Sequence, residues 1–372
     1  MRWWTLLALA GALPARAFTV ASGFTEGCHE RITLRAYLDF VVALPLEGVA
    51  IPAADDDEEE DETWREVAAY FAEQFPDLQT VLAEQADVTD ADRFLIMSLL
   101  VGVRSPDTEG HSTLNLAQLR QLHSDPDPVG QYAHALRGPD DDGLEGAEIA
   151  AAGTRTRITE LLQEAVTASF AVGANQLTLG TFYLDFYGRV ELPVNAAYYA
   201  LGRAAHAVQD SFAHNLRDEA GGYREILAIL NYVEAIGGDH DEARDGIAHS
   251  DSMDDCMAEP GEPGGTVDAA VAATVDLFIT LRALRSGLDP AAVDAFLARW
   301  FVYRPGCTVA DGFCGNQRWL DVLREHQTGP YLESIFGCAA SPGTPGDPGA
   351  LIVLVMLPWL GSRRLVRARH AG

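Results

Sequence analysis

The sequence predicts an all-α protein whose main body is one multi-helix domain over residues 18–336. The 372 residues are rich in Ala, Leu, Glu and Arg, with few runs of β-branched residues, and this mixture favours helices. Asn195, two positions after Pro193, is a favourable N-cap for a helix that begins at residue 196. Apolar residues recur at helical spacing over residues 29–45, 63–74, 90–103, 155–185, 196–214, 223–236, 267–286, 290–302 and 316–325.

The N-terminal segment predicts a signal peptide. Residues 1–17 contain an early Arg, an apolar stretch and the small-residue pattern Ala-Arg-Ala that precedes a cleavage site. Cleavage after Ala17 would make Phe18 the mature N-terminus; an uncleaved anchor is the alternative. The apolar stretch is shorter than a typical membrane-spanning helix. We therefore expect export through the secretory pathway, with the protein extracellular or on the outer cell surface.

The C-terminal end also has a distinct composition. Residues 337–349 form a linker rich in Pro and Gly that contains Cys338, and residues 350–372 join a short apolar stretch to an Arg cluster. A Cys, an apolar stretch and an Arg cluster in this order resemble the C-terminal sorting tags of some myxobacterial surface proteins. The resemblance implies processing and surface attachment, whereas a weakly membrane-associated tail is the alternative.

The net charge argues against one class of partner. The formal charge is −29, and all 26 basic residues are Arg. A strongly negative field repels polyanions, so general nucleic-acid binding is disfavoured. Part of the acid lies in residues 53–62, which predict a solvated loop.

The five cysteines predict two disulfides in an exported chain. Cys307 and Cys314 frame the short loop "GCTVADGFCG" and are expected to pair with each other. Cys338 belongs to the C-terminal tag. This leaves Cys28 to pair with Cys256.

The segment "HAVQDSFAH" places His206, Asp210 and His214 four residues apart. On a helix these positions lie at roughly 0°, 40° and 80°, which is one narrow stripe. Imidazole and carboxylate are ligands that Zn²⁺ accepts, and the two oxygens of an aspartate can bridge adjacent metals. A metal platform and a polar helix face are both consistent with this spacing.

Other candidate donors are distant in sequence. If Cys28 pairs with Cys256, their Cα atoms lie within about 7 Å. His29 would then lie close to the segment that holds His240 and His249, which favours an assembled site. The candidate donors outside the stripe are His29, Asp107, His111, His134, His240 and His249.

The motifs "GCHERITLRAYL" and "HAVQDSFAH" together resemble the zinc-dependent phospholipase C superfamily. This superfamily includes single-strand-specific nucleases, the N-terminal domain of glycosylphosphatidylinositol-specific phospholipase D and Het-C-like proteins. The resemblance spans residues 18–256 and is strongest over residues 201–214. It implies a helical fold with two to three Zn²⁺ ions clustered in a cleft.

The resemblance implies roles for individual residues in two of the zinc sites. Phe18 would bind one zinc through its free amino group and carbonyl, together with His29. Asp107 and His206 would bind a second zinc. Asp210 would bridge the two ions, and Asp107 would also be the catalytic residue that orients or deprotonates the attacking water.

The remaining ligands are less well defined by the resemblance. His214 would bind a third zinc, although it lies closer to Asp210 than the corresponding histidine does in the bacterial phospholipases. The remaining loop ligand is either His111 or His134, and His134 can also be read as a core-edge histidine. His240 and His249 are candidates without matching spacing.

The implied activity is hydrolysis of phosphate esters by metal-activated water, with phospholipid as the expected substrate. We expect a monomer that acts at a membrane surface. Arg104, Arg203 and Arg217 are either phosphate ligands or structural ion-pair partners. The alternatives are a single-strand nuclease of the same superfamily, which the charge disfavours, and a non-enzymatic surface protein that retains a structural metal site.

Overall fold

Helices form most of the structure, and two small sheets complete it, so the predicted helical fold class is confirmed. The computed structural model describes residues 27–40, 48–52, 58–75, 89–112, 115, 122, 128–138, 141, 143–184, 188–229, 265–284, 287 and 289–320. The helices are α1 (Cys28–Asp39), α2 (Glu58–Gln74), α3 (Asp90–Thr108), α4 (Pro128–Ala133), α5 (Gly143–Ser169), α6 (Ala196–Ala213), α7 (Thr266–Ala283), α8 (Pro290–Trp300) and the short α9 (Gly312–Gly315), with 3-10 turns at Gly173–Gln176 and Val309–Asp311.

The strands form a hairpin and a three-stranded sheet. In the hairpin, β1 and β2 pair antiparallel. In the second sheet, β4 lies in the middle, antiparallel to β3 and parallel to β5. The strands are β1 (Leu177–Leu184), β2 (Gly188–Asn195), β3 (Asn215–Arg217), β4 (Glu225–Ile229) and β5 (Val302–Tyr303).

Three predicted elements are wrong in part. The loop predicted over residues 53–62 overlaps α2, which begins at Glu58. The helices predicted over residues 155–185 and 223–236 overlap strands. Helix α5 ends at Ser169, and the chain then turns through Gly173, which has a left-handed φ of 60°. Strand β1 follows, and it is rich in the Thr and aromatic residues that favour strands. Strand β4 is a mostly apolar run of strand length, which periodicity alone cannot distinguish from a buried helix.

Helix α6 is surrounded by α1, α3, α5 and α7. Nearly every residue along it is buried, and its many alanines allow the neighbouring helices to approach on several sides. The predicted N-cap is confirmed, because the Asn195 side chain accepts a hydrogen bond from the backbone N–H of Tyr198 at 3.2 Å. The polar side chains of His206, Gln209 and Asp210 on this helix therefore face protein rather than solvent.

Two glycines allow α3 and α6 to cross at very short distance. A Cβ atom on Gly102 would lie 2.3 Å from the carbonyl oxygen of Tyr199, and one on Gly202 would lie 2.2 Å from that of Leu99. Any larger residue at either position would collide with backbone of the other helix. The close crossing brings the last turn of α3 beside the second half of α6.

One of the two predicted disulfides is confirmed. Cys307 and Cys314 are bonded to each other. Cys28 is buried and also disulfide-bonded, with a partner outside the described residues. Cys256 is outside them too, so the Cys28–Cys256 pairing stays a prediction.

All described residues belong to one unit, which extends over residues 1–340. In the described part of the chain, no helix has the length and apolar composition needed to cross a bilayer. The predicted signal peptide and the C-terminal tag both lie outside the described residues.

Candidate metal centre

Four metal-binding side chains from three helices meet in the interior. His29 lies at the start of α1, Asp107 in the last turn of α3, and His206 and Asp210 on α6. Each offers a ligand atom, and these four atoms lie within 4.8 Å of one another. Asp107 is 9% exposed, whereas the other three residues are exposed by 2% or less. Buried imidazoles and carboxylates at these distances can hold a metal ion.

His134, in the turn after α4, also belongs to this cluster. Its Nδ1 lies 3.0 Å from Oδ2 of Asp210 and 3.1 Å from Nε2 of His206. The family resemblance implied either His111 or His134 as the loop ligand, and the structure brings His134 to the cluster. Within the described residues, no contact joins the half-buried ring of His111 to it.

Each of the two carboxylates lies near three histidines. Asp210 directs Oδ1 to Nε2 of His29 at 3.1 Å, and Oδ2 to Nε2 of His206 at 2.9 Å and Nδ1 of His134 at 3.0 Å. Asp107 does the same at longer range, with Oδ2 at 3.7 Å from His29 and Oδ1 at 3.6–3.7 Å from His206 and His134. Each carboxylate therefore directs one oxygen toward His29 and the other toward His134 and His206. The three rings are themselves close, with centroids 4.3 Å apart for His29 and His206 and 5.1 Å apart for His134 and His206.

Hydrogen bonds behind two of the rings orient them toward the carboxylates. Nδ1 of His206 donates to the backbone carbonyl of Val103 at 2.9 Å. Nδ1 of His29 donates to Oε1 of Gln209 at 2.8 Å, and Gln209 in turn donates from Nε2 to the Thr33 hydroxyl at 2.8 Å. Such bonds direct the other ring nitrogen toward the ion and increase ligand basicity.

Sequence reasoning missed Gln209. It is fully buried and lies next to Asp210 on an Ala-rich helix. A long amide at a core-facing position beside the His/Asp stripe was the signal that could have identified it, because buried amides require hydrogen-bond partners.

His214 lies at the end of α6, at the edge of the cluster. Its Nδ1 donates to the backbone carbonyl of His134 at 2.8 Å and lies 3.9 Å from Oδ2 of Asp210. This bond positions the turn that carries His134. Only Nε2 is left as a ligand atom, so the third-zinc role stays a prediction. The predicted ligands Phe18, His240 and His249 lie outside the described residues.

The charges of the cluster shift two pKa values in opposite directions. Burial lowers the pKa of His29, but the carboxylates of Asp210 and Asp107 outweigh it and raise that pKa to about 9. Burial raises the pKa of Asp210, but electrostatic interactions with His206, His214 and His29 and a hydrogen bond from His134 hold it well below its usual value. An ionised carboxylate at this position attracts a cation.

Two of the three arginines considered as phosphate ligands have structural roles. Arg104 forms a buried ion pair with Glu30 at 3.2 Å. Arg217 is buried and donates to the backbone carbonyls of Ser211, Tyr223 and Trp300 at 2.7–2.8 Å. Burial lowers the pKa of Arg217 to about 9.

No family model, curated protein or solved structure matches the chain. The function must therefore be inferred from the cluster and its surroundings.

A cavity of about 460 Å³ adjoins the cluster at His134. Ser105 and Pro106, which directly precede Asp107, also line it. The Ser105 and Tyr199 hydroxyls are hydrogen-bonded to each other at 2.8 Å along this cavity. Of the cluster residues, His134 is the one in the cavity lining.

Proposed function

We propose that the protein is an exported, zinc-dependent hydrolase of phosphate esters, acting on phospholipids. The observation that carries the proposal is the shared position of Asp107 and Asp210, each with one oxygen toward His29 and the other toward His134 and His206. Carboxylates in this position are suited to bridging two ions, as in two-metal sites that act on phosphate esters.

The donors fit zinc in type and spacing. With bonds of about 2.0–2.1 Å in a tetrahedral site, two donors on one Zn²⁺ ion lie about 3.4 Å apart. The distances between imidazole nitrogens and carboxylate oxygens here are 2.9–3.7 Å. His134 and His206 would hold one ion and His29 the other, with both aspartates shared. Phe18 remains the predicted further ligand on the His29 side.

The two aspartates would have different roles in hydrolysis. When bound, zinc lowers the pKa of a coordinated water toward 7 and neutralises charge on the phosphoryl oxygens. Asp107 is the most exposed of the five donors, and it follows two cavity-lining residues. Its carboxylate is therefore the group placed to orient the attacking water. Asp210, with its pKa held low, stays ionised and contacts all three histidines.

The two alternatives are less well supported. A nuclease requires a positive path for the nucleic-acid backbone, and the net charge is −29. A purely structural metal site is closed by protein ligands on all sides. Here the cavity at His134 and the partial exposure of Asp107 favour an open position for water and substrate.

The proposal is tested by metal analysis and lipid hydrolysis with signal-cleaved protein, because an N-terminal tag could block the Phe18 amine. Wild-type protein should bind two to three equivalents of zinc and hydrolyse phospholipid. Asp210→Asn should lose most of both. Asp268→Asn, which removes a surface ion pair with Arg35, is the matched control and should retain both. Full activity in Asp210→Asn would refute the proposal.

A further inference from the structure

The cavity beside the candidate metal centre contains an unusual amount of positive charge. Arg157 on α5, Arg189 on β2 and Arg203 on α6 all line it. Glu109 is the one acidic residue in the described lining. In a chain with 26 basic and 55 acidic residues, three arginines against one glutamate reverse the overall charge balance. The cavity is therefore suited to an anion.

These arginines have N–H groups that remain available to a ligand. Nε of Arg157 is buried and has no hydrogen-bond partner among the described residues. Arg189 donates from Nε to the backbone carbonyl of Glu109 at 3.0 Å. Each guanidinium has five N–H groups, so these contacts, and the ion pairs that Arg157 and Arg203 make, leave several donors for a ligand.

The carboxylates that pair with two of the arginines can be displaced. Arg157 contacts Glu160 at 3.2 Å and Arg203 contacts Glu164 at 3.6 Å. The two glutamate side chains are 54% and 51% exposed. The arginine side chains are 15% and 30% exposed, so the two pairs are only partly exposed. Because each glutamate is half-exposed, its carboxylate can turn to solvent when a substrate anion takes its place beside the arginine.

The arginines are connected to the candidate metal centre through shared elements. His134 belongs to both the cluster and the cavity lining. Arg203 precedes His206 by one helical turn on α6. A molecule that places one phosphate at the cluster can therefore extend another group into the cavity.

We propose that Arg157, Arg189 and Arg203 form a subsite for a second anionic group of the substrate. This inference rests on the proposed function and narrows it to phospholipids whose headgroup carries a further phosphate. Guanidinium groups bind phosphate oxygens through paired N–H donors, whereas they repel the quaternary ammonium of choline. A cavity of about 460 Å³ has the size of a small-molecule site, and it is compact rather than an extended path for a nucleic-acid strand.

The subsite is tested first without metal, so that the result does not depend on hydrolysis. Chelator-treated protein is titrated calorimetrically with inorganic phosphate. Arg189→Met and Arg203→Met should each raise Kd about tenfold or more, because each removes charge-assisted hydrogen bonds. Arg35→Met, which removes an exposed arginine of a surface ion pair, should leave Kd unchanged. If Arg203→Met fails to fold, the exposed Arg189 decides the test. Equal Kd values in Arg189→Met and wild type, or no phosphate binding by wild type, would overturn the subsite.

A second experiment distinguishes failure of the subsite from failure of the proposed function. Zinc-loaded protein is assayed on phosphatidylinositol 4-phosphate and on phosphatidylcholine in matched mixed micelles, and on a single-stranded oligonucleotide. The wild type should prefer the phosphorylated headgroup, and Arg189→Met should reduce that preference in kcat/KM about tenfold. An equal preference in both proteins would overturn the subsite. Hydrolysis of no substrate, with phosphate binding intact, would overturn the proposed function alone. Preferred cleavage of the oligonucleotide would overturn the assignment to lipids.

Discussion

Gln209 provides a test of the candidate metal centre, because it contacts His29 and would not itself bind an ion. Replacing it with leucine removes the acceptor for Nδ1 of His29, now 2.8 Å away, and the donor to Thr33. Loss of such a supporting bond lowers metal affinity about 10–100-fold, equivalent to about 1.4–2.7 kcal/mol. We therefore expect Gln209→Leu to bind zinc that much more weakly, as measured by competition with a chromophoric chelator.

A second glutamine offers a matched control for this experiment. Gln176 is equally buried and bonds through its side chain to Ala50, Gly48 and Ala171, none of which belongs to the cluster. Gln176→Leu should destabilise the fold without changing zinc affinity, whereas Gln209→Glu, which keeps an acceptor, should restore much of the affinity. Wild-type zinc affinity in a folded Gln209→Leu protein would refute the assignment of His29 as a ligand.

The remaining predictions concern pH and packing. The folded-state pKa of His29 is raised from 6.5 to about 9. Protonated His29 therefore stabilises the metal-free protein by about 3 kcal/mol. This stabilisation is complete below pH 6.5 and is lost as the pH rises to 9. Urea unfolding of metal-free protein should show the free energy of unfolding falling over this pH range. A free energy of unfolding that does not change with pH, or that falls equally in His29→Asn, would contradict the prediction. Zinc binding at pH 7 should release a proton from His29, which calorimetry in buffers of different ionisation enthalpy measures; no dependence on buffer would count against it. Gly202→Ala places a methyl group 2.2 Å from the Leu99 carbonyl oxygen. It should lower the free energy of unfolding by about 1–3 kcal/mol, and it should weaken zinc binding because it separates Asp107 from α6. An unchanged free energy of unfolding together with an unchanged zinc affinity would contradict the role of the helix crossing.

Local patterns in the sequence predicted the structural features that depend only on neighbouring residues. Helical periodicity placed His206 and Asp210 on one face, and Asn195 identified the start of that helix. The short loop between Cys307 and Cys314 identified their disulfide. In each case a few adjacent residues are sufficient, because helix geometry, capping and short-loop closure act over one or two turns.

Other features could not be predicted from the sequence, because they depend on contacts between residues that are distant along the chain. Periodicity predicted helix where β1 and β4 form, since pairing with another strand overrode the local pattern. Nothing in the local sequence distinguished His134 from His111 as the member of the cluster. The importance of Gln209 became evident only when α1 was placed against α6.

The sequence by itself determined a largely helical protein with a histidine and an aspartate on one face of a central helix, because both follow from composition and from the turn of the helix. Only the tertiary structure decided which other donors join them. The Gly102–Gly202 crossing brings Asp107 to α6, and packing of α1 against the same helix brings His29. A metal centre requires donors a few ångströms apart in space, and the close approach of separate helices sets that distance.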